Sequence, residues 1–299
     1  MFKGISTSEF RDYFKTQEDC YLYLMEAKWG NGYKCLRCSN TNAVKGRKWY
    51  YKRCSSCMYD ESVTANTLFH QCKLNILKAF EIAFRISVRK KGMSSCELSK
   101  EVGCNQKTAW LLKAKLQEAM KSTEQYPLSG TVDVDEFVIG GPDPLCQGRS
   151  KGDKKIIVVG IERVQNKKGN ATIGRAYCKV IENYSCEEIS SLFHSHISEE
   201  AKITTDKWTG YIPLKKEYSI KQKSSNNGLN FKLIHVHIMN IKNWIRGIHH
   251  KCSEQRIQKY LDEYHFRFNR RSTLKTIFNT LINRAVNNIP TPYLQLIAS

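Results

Sequence analysis

Apolar and polar residues follow two different periods along this chain. Residues 1–30 and 73–120 carry apolar side chains three and four positions apart, which predicts amphipathic helices. From residue 131 onward the apolar residues come in short runs typical of strands. The predicted strands are 131–141, 154–164, 174–181 and 201–206, with a helix at 185–197 before the last of them. This order predicts an α/β core preceded by a helical region, with the first and fourth strands as neighbours.

Four of the twelve cysteines are spaced as zinc ligands. Cys35 and Cys38 form one Cys-x2-Cys pair, Cys54 and Cys57 form a second, and fifteen residues separate the pairs. Two such pairs can place four thiolates tetrahedrally around one Zn²⁺, as in zinc ribbons. A site closed by four thiolates is structural, so we expect this zinc to take no part in catalysis.

The segment SSCELSKEVGCNQKTAW, residues 94–110, has the form helix, turn, helix. A serine can cap the first helix, Gly103 supplies the turn, and Asn105 can cap the second helix. This pattern indicates a helix-turn-helix, whose second helix lies in the DNA major groove, and an ordinary helical hairpin is the alternative. On the first interpretation the DNA-binding candidates are Lys107, Thr108 and Lys113.

The charge of the chain points to its partner. Lysine and arginine number 48 against 28 aspartates and glutamates, which gives a formal charge of +20. Such an excess indicates a polyanion, with nucleic acid foremost, and a basic enzyme unrelated to nucleic acid is the alternative. The sequence has no apolar run long enough for a membrane span and no secretory signal, so we expect no membrane partner.

One acidic stretch, TVDVDEFVIGG at 131–141, contrasts with this basic background. On a strand, Asp133 and Asp135 share one face and Glu136 points to the other. Asp206 ends the fourth predicted strand, so neighbouring first and fourth strands would bring two aspartates together. Their carboxylates are hard oxygen ligands of the kind that Mg²⁺ or Mn²⁺ prefers. The stretch therefore predicts half of a cation site.

Several stretches together resemble insertion-sequence transposases with an N-terminal zinc ribbon and a DDE-type core, the group that includes the ISXO and Merlin elements. The matching stretches, between about residues 20 and 275, are CLRC…CSSC, SVTANTLFH, SSCELSKEVGCNQKTAW, VDVDEFVIGG, TTDKWTGY, VHIMNIKNWIRGIHHKCS and RIQKYLDEYHFRFNRR. The resemblance implies an RNase H-like core, a mixed sheet flanked by helices. It divides the chain into N-terminal helices with a zinc ribbon (1–72), a helix-turn-helix domain (73–125) and the core with basic C-terminal helices (126–299).

The resemblance also implies a catalytic set. Asp135 takes the place of the first catalytic aspartate, Asp133 that of an accessory acid, and Asp206 that of the second aspartate. In such enzymes the acids hold two Mg²⁺ or Mn²⁺ ions. The implied activity is cleavage of DNA at the terminal inverted repeats and transfer of the freed strand to target DNA.

The third catalytic position varies in this group and is commonly followed, seven residues later, by a lysine or arginine. His235 lies seven residues before Lys242, about two helical turns, so both would face one side of a helix. His235 is therefore the predicted third ligand and Lys242 a phosphate contact, with Asn240 as the rival and His237 as a weaker choice. A histidine ligand would favour Mn²⁺ over Mg²⁺.

The remaining expectations concern partners and location. Further DNA contacts are predicted at Arg246, Arg270 and Arg271. The resemblance implies a homodimer or a higher homo-oligomer on double-stranded DNA. It also implies a cytoplasmic, nucleoid-associated protein in a bacterium, or a nuclear one for a eukaryotic element. Two alternatives stay open: a non-catalytic zinc-ribbon and helix-turn-helix regulator, and an RNase H-like nuclease that cuts without joining strands.

Overall fold

The computed structural model describes residues 1–140, 154–226, 228–249 and 252–298. The chain divides into two compact units. We call residues 121–269 the sheet unit, and residues 1–120 together with 270–299 the N-terminal unit. Within the described residues no helix has both the length and the apolar character needed to cross a bilayer.

The sheet unit is built on a five-stranded mixed sheet. Its strands are β4 (Thr131–Ile139), β5 (Lys155–Gln165), β6 (Ala171–Ile181), β7 (Lys202–Thr205) and β8 (Ser219–Gln222), numbered after three strands of the N-terminal unit. They lie in the order β6-β5-β4-β7-β8. The first three form antiparallel pairs, whereas β7 runs parallel to both β4 and β8. The predicted strands and the predicted pairing of the first with the fourth are confirmed, while β8 was not predicted. Gly141, the last residue of the first predicted strand, lies outside the described residues.

Alternation along β4 separates two apolar layers. Val132 and Val134 face a core that includes residues of the helix α6 (Cys186–His196). Phe137 faces the opposite core, which residues of α7 (Lys232–Ile248) and α8 (Glu254–Phe268) complete. The sheet is therefore flanked by helices on both sides, as expected for an α/β core.

The N-terminal unit combines helices with a small antiparallel sheet. Its strands β1 (Ala43–Lys45), β2 (Tyr51–Cys54) and β3 (Asp60–Ser62) pair in that order. Its helices are α1 (Thr7–Tyr13), α2 (Gln17–Trp29), α3 (Ile76–Val88), α4 (Ser95–Val102), α5 (Gln106–Met120), α9 (Leu274–Asn287) and α10 (Tyr293–Ala298). Lys28 of α2 is buried against Glu61 of β3, with 2.5 Å between Nζ and Oε1, and this ion pair ties the small sheet to the helices.

An aromatic core explains why the end of the chain returns to the N-terminal unit. Phe278 of α9 packs against Phe10, Phe14 and Phe84 with ring centroids 5.8–6.0 Å apart. The backbone of α9 also accepts a hydrogen bond at Ala285 from the amide of Leu68. The division implied by the family resemblance placed 270–299 with the core, but these residues pack in the N-terminal unit.

Two buried histidines of the sheet unit, His265 and His196, are neutral near pH 7. His265 of α8 donates from Nδ1 to the carbonyl of Leu261 (2.8 Å), and its Nε2 lies 3.1 Å from Nε2 of His237. Burial lowers the pKa of His265 to about 4. Burial, and secondarily the charge of Lys179, lowers the pKa of His196 to about 4 as well.

We predict that acid destabilises the sheet unit through these histidines. Because each folded-state pKa lies below the usual value, the unfolded chain binds protons first, and stability falls as the pH drops from about 6.5, the ordinary pKa of histidine, toward about 4. His265→Gln should remove roughly 2 kcal/mol of the stability difference between about pH 7.5 and about pH 5, measured by urea unfolding. An unaltered difference in His265→Gln would contradict the assignment.

Candidate active site and metal centres

The four predicted zinc ligands converge beside the small sheet. Their sulfur atoms all lie within 4.8 Å of one another. The Sγ atoms of Cys35 and Cys57, and those of Cys38 and Cys54, are each 3.5 Å apart. A tetrahedral zinc with bonds of about 2.3 Å needs sulfurs about 3.8 Å apart, so the cluster fits one Zn²⁺ and fits the predicted zinc ribbon.

Backbone amides donate to two of these sulfur atoms, those of Cys35 and Cys54. The amide of Arg37 donates to Sγ of Cys35 over 3.4 Å. Hydrogen bonding, first from the backbone amide of Cys57, lowers the pKa of Cys54 to about 6. Since the thiolate is the form that binds metal, this environment favours the ligand state.

Three carboxylates meet in the sheet unit. Ligand oxygens of Asp135, Glu136 and Asp206 all lie within 4.8 Å of one another. Strand pairing explains the site, because β4 pairs with β7 only from Thr131 to Asp133, and β7 ends at Thr205. After Asp133, β4 no longer pairs with β7, so this edge of β4 is open. Asp206 is the first residue after β7 and lies beside this unpaired part of β4. The predicted meeting of Asp135 with Asp206 is therefore present, and Glu136 joins them.

Asp135 is held from two sides. Its Oδ1 accepts the amide of Glu136 over 2.8 Å, and its Oδ2 lies 3.1 Å from Nε2 of His235 on α7. Burial raises the pKa of the Asp135 carboxyl, and the negative charge of Asp206 raises it further, although His235 and the Glu136 amide act in the opposite direction. A bound cation would offset both the burial and the repulsion.

Hydrogen bonds hold the turn that contains Asp206. Its Oδ1 accepts the amide of Trp208 over 2.9 Å, and its backbone carbonyl accepts from Nε2 of Gln222 on β8. The indole of Trp208 donates to the carbonyl of Tyr184 over 3.0 Å. The unpredicted strand β8 thus helps to fix the second aspartate.

Asp133, predicted as an accessory acid, lies outside this cluster. Its carboxylate is buried and forms an ion pair with Arg163 of β5, with 3.1 Å between Oδ2 and Nε. Burial raises the pKa of this carboxyl, while Arg163 and Lys223 lower it. Asp133 therefore stabilises the strand pair next to the site and is not placed among the other three acids.

The candidates for the third catalytic position have different surroundings on α7. His235 is half-buried at the acids, and Asn240 is exposed. His237 is fully buried on the other side of the helix against His265, so its choice as a ligand is wrong. Lys242 is half-buried, with Nζ 5.6 Å from the ring centroid of Phe137. Burial lowers the pKa of Lys242, and Arg246 adds to this effect.

The predicted turn between α4 and α5 has the expected caps. The amide of Glu97 donates to Oγ of Ser94, and the amide of Lys107 donates to Oδ1 of Asn105 over 2.9 Å. Gly103 takes the left-handed conformation with φ of 67° that ends α4.

The DNA-contact candidates differ in exposure. Lys107 is exposed and Thr108 is half-buried at the start of α5. Lys113 is buried, and its Nζ donates to the carbonyl of Met93 over 2.6 Å. Lys113 therefore stabilises the helical hairpin, and its assignment as a DNA contact is corrected. Among the other candidates Arg246 and Arg271 are exposed and Arg270 is half-buried.

The fold and the acids define an α/β domain with a candidate cation site at the edge of its sheet. Residues 127–269 match the family model described as an ISXO2-like transposase domain. The segment contains the three clustered acids together with His235 and Lys242, whereas the four cysteines and the α4–α5 hairpin precede it. The resemblance to insertion-sequence transposases is thus confirmed. A comparison with curated proteins gave no match.

We predict that zinc content depends on the cysteine cluster. Cys54→Ser removes a ligand that the surrounding amides hold as thiolate, so the purified variant should contain far less than the about one zinc per chain of the unaltered protein. Inductively coupled plasma mass spectrometry measures this content. Cys96→Ser, at an exposed cysteine of α4, is the control and should retain zinc. Full zinc occupancy in Cys54→Ser would contradict a four-thiolate site.

We predict that substitutions of two lysines of α5 change different properties, DNA binding in one case and thermal stability in the other. Lys107→Gln removes an exposed charge and should lower the slope of log affinity against log salt by about one on duplex DNA. Lys113→Met removes the hydrogen bond to Met93, so it should lower the melting temperature and leave the salt slope unchanged. Fluorescence anisotropy and thermal unfolding test the pair, and equal slope changes in both variants would contradict the assignment.

Proposed function

We propose that this protein is a DNA transposase that binds the terminal inverted repeats of an insertion sequence, cuts the DNA there and transfers the freed 3′ end to target DNA. One observation carries the proposal: Asp135, Glu136 and Asp206 converge at the open edge of β4, inside a segment that matches a transposase family model. On this proposal the α/β domain is an RNase H-like core.

The carboxylates fit the cations that such a reaction requires. Clustered, partly buried acids with a raised pKa at Asp135 are the environment that a divalent cation relieves. Two bound Mg²⁺ or Mn²⁺ ions would supply activation of the attacking oxygen and stabilisation of the leaving oxygen of a phosphodiester.

The residues around the acids complete the site in this proposal. His235 stays the proposed third ligand, with its Nε2 3.1 Å from Oδ2 of Asp135. Lys242 and Arg246 lie one helical turn apart on α7 and would contact the DNA phosphates beside the reacting bond. Asn240, exposed on the same helix, is a rival contact for the DNA strand.

The N-terminal unit would recognise the ends of the element. The four-cysteine ribbon supports this through its basic strand β2, and the α4–α5 hairpin supports it through Lys107 and Thr108 at the start of the second helix. Cutting and joining two ends requires that they be held together, so a homodimer or a higher homo-oligomer on DNA is part of the proposal. The protein would work at the DNA, in the nucleoid of a bacterium or in a nucleus.

Two other functions remain as outcomes of the test. A regulator that only binds DNA would keep the ribbon and the hairpin and need no acids. A nuclease of the same fold would cut DNA and never join it. The convergence of three acids argues against the first, and the family of residues 127–269 argues against the second.

We predict that Asp206→Asn abolishes strand transfer while end binding stays within about threefold of the unaltered protein, because the substitution removes a cation ligand and no DNA contact. Purified protein is incubated with its own flanking DNA, with Mg²⁺ and with Mn²⁺ in parallel, and joined products are resolved on a sequencing gel. Glu182→Gln, at an exposed acid after β6, is the control.

The products distinguish the alternatives. Joined products that disappear in Asp206→Asn and persist in Glu182→Gln support the transposase. Cleavage without joining supports the nuclease, and binding without either reaction supports the regulator. A higher yield with Mn²⁺ supports His235 as a ligand, whereas a strong preference for Mg²⁺ counts against it.

A further inference from the structure

Glu136 reaches the acids from the opposite face of the sheet. Strand alternation places Glu136 with Val132 and Val134, which pack in the core beneath α6. Asp135 instead points toward α7 and His235. The carboxylate oxygens of both nevertheless lie within 4.8 Å of Asp206, because the sheet has an open edge there. The Glu136 side chain is long enough to reach past the unpaired edge of β4 toward Asp206.

The buried hydroxyl of Tyr211 lies next to the carboxylate of Glu136. Tyr211 ends the short 3-10 helix Thr209–Tyr211, five residues after Asp206, and its side chain is fully buried. Its hydroxyl completes no hydrogen bond of good geometry in the described part of the chain, yet it lies against the Glu136 carboxylate. A buried polar atom without a hydrogen bond costs stability, so its presence in a folded protein calls for an explanation.

The position of Tyr211 is fixed by its neighbours. The amide of Trp208 donates to Asp206, and Gln222 donates to the carbonyl of Trp208 over 2.8 Å. The ring of Tyr211 packs in the core, 6.1 Å from the ring centroid of Phe193. Asp206 and the Tyr211 hydroxyl are therefore presented by one braced segment, 206–211.

We propose that Glu136 is a metal-binding carboxylate of this site and that Tyr211 is its positioning residue, an inference that rests on the proposed function. A phenol hydroxyl donates one hydrogen bond and can hold a carboxylate without adding a charge to it. Loss of such a supporting partner typically weakens metal binding by about 10- to 100-fold.

The test measures Mn²⁺ binding to the full zinc-loaded chain by the loss of the free-ion signal in electron paramagnetic resonance. Glu136→Gln and Tyr211→Phe should each raise the Kd for Mn²⁺ by about 10- to 100-fold. Phenylalanine keeps the ring in the core, so the melting temperature should change little. Tyr218→Phe is the matched control, a buried tyrosine of the same core whose neighbouring charges are Glu199 and Glu217, and it should bind Mn²⁺ normally.

A double variant tests whether Tyr211 acts through Glu136. In a Glu136→Gln background, Tyr211→Phe should cause no further loss of Mn²⁺ affinity, because the group that it positions is gone. A full additional loss would overturn the positioning role. Mn²⁺ affinity unchanged in Glu136→Gln but lost in Asp206→Asn would overturn the inference and leave the proposed function standing. Absence of Mn²⁺ binding in the unaltered protein would overturn both.

Discussion

Repulsion among three carboxylates is the constraint on which the sheet unit depends. Asp135, Glu136 and Asp206 hold ligand oxygens within 4.8 Å of one another. At an effective dielectric of about 20, each ionised pair repels by roughly 3 kcal/mol, and burial adds a desolvation cost. The fold keeps them together because β4 and β7 pair in parallel only up to Asp133 and because a braced turn follows β7. A divalent cation bound among these carboxylates would offset this cost.

Among the residues that the structure describes in the sheet unit, these three are the acids that crowd together. Asp133, two residues before Asp135, has its own cation in Arg163. On α7, one face buries isoleucines in the core while His235 and Lys242 come to the acidic edge. An imidazole and a lysine thus border the compact group of carboxylates. On the proposed function, the lysine would reduce the repulsion between these acids and an approaching DNA phosphate.

Part of this site could be predicted from the sequence. Strand alternation and the order of elements were enough to bring Asp135 and Asp206 together, and two Cys-x2-Cys pairs were enough for the zinc cluster. Glu136 was missed because alternation assigns it to the other face, and only the open sheet edge brings it back. Lys113 was misassigned because helical spacing alone does not show which lysine is buried. The return of α9 to the N-terminal unit depends on Phe278 and a long-range aromatic core, which has no local signal.

The most direct test of the central claim is anomalous diffraction at the manganese edge from crystals of the full chain grown with Mn²⁺. The account predicts density directly coordinated by carboxylate oxygens of Asp135, Glu136 and Asp206, with Tyr211 Oη donating to Glu136. Anomalous density elsewhere in the sheet unit, or three acids that separate when Mn²⁺ is present, would contradict it.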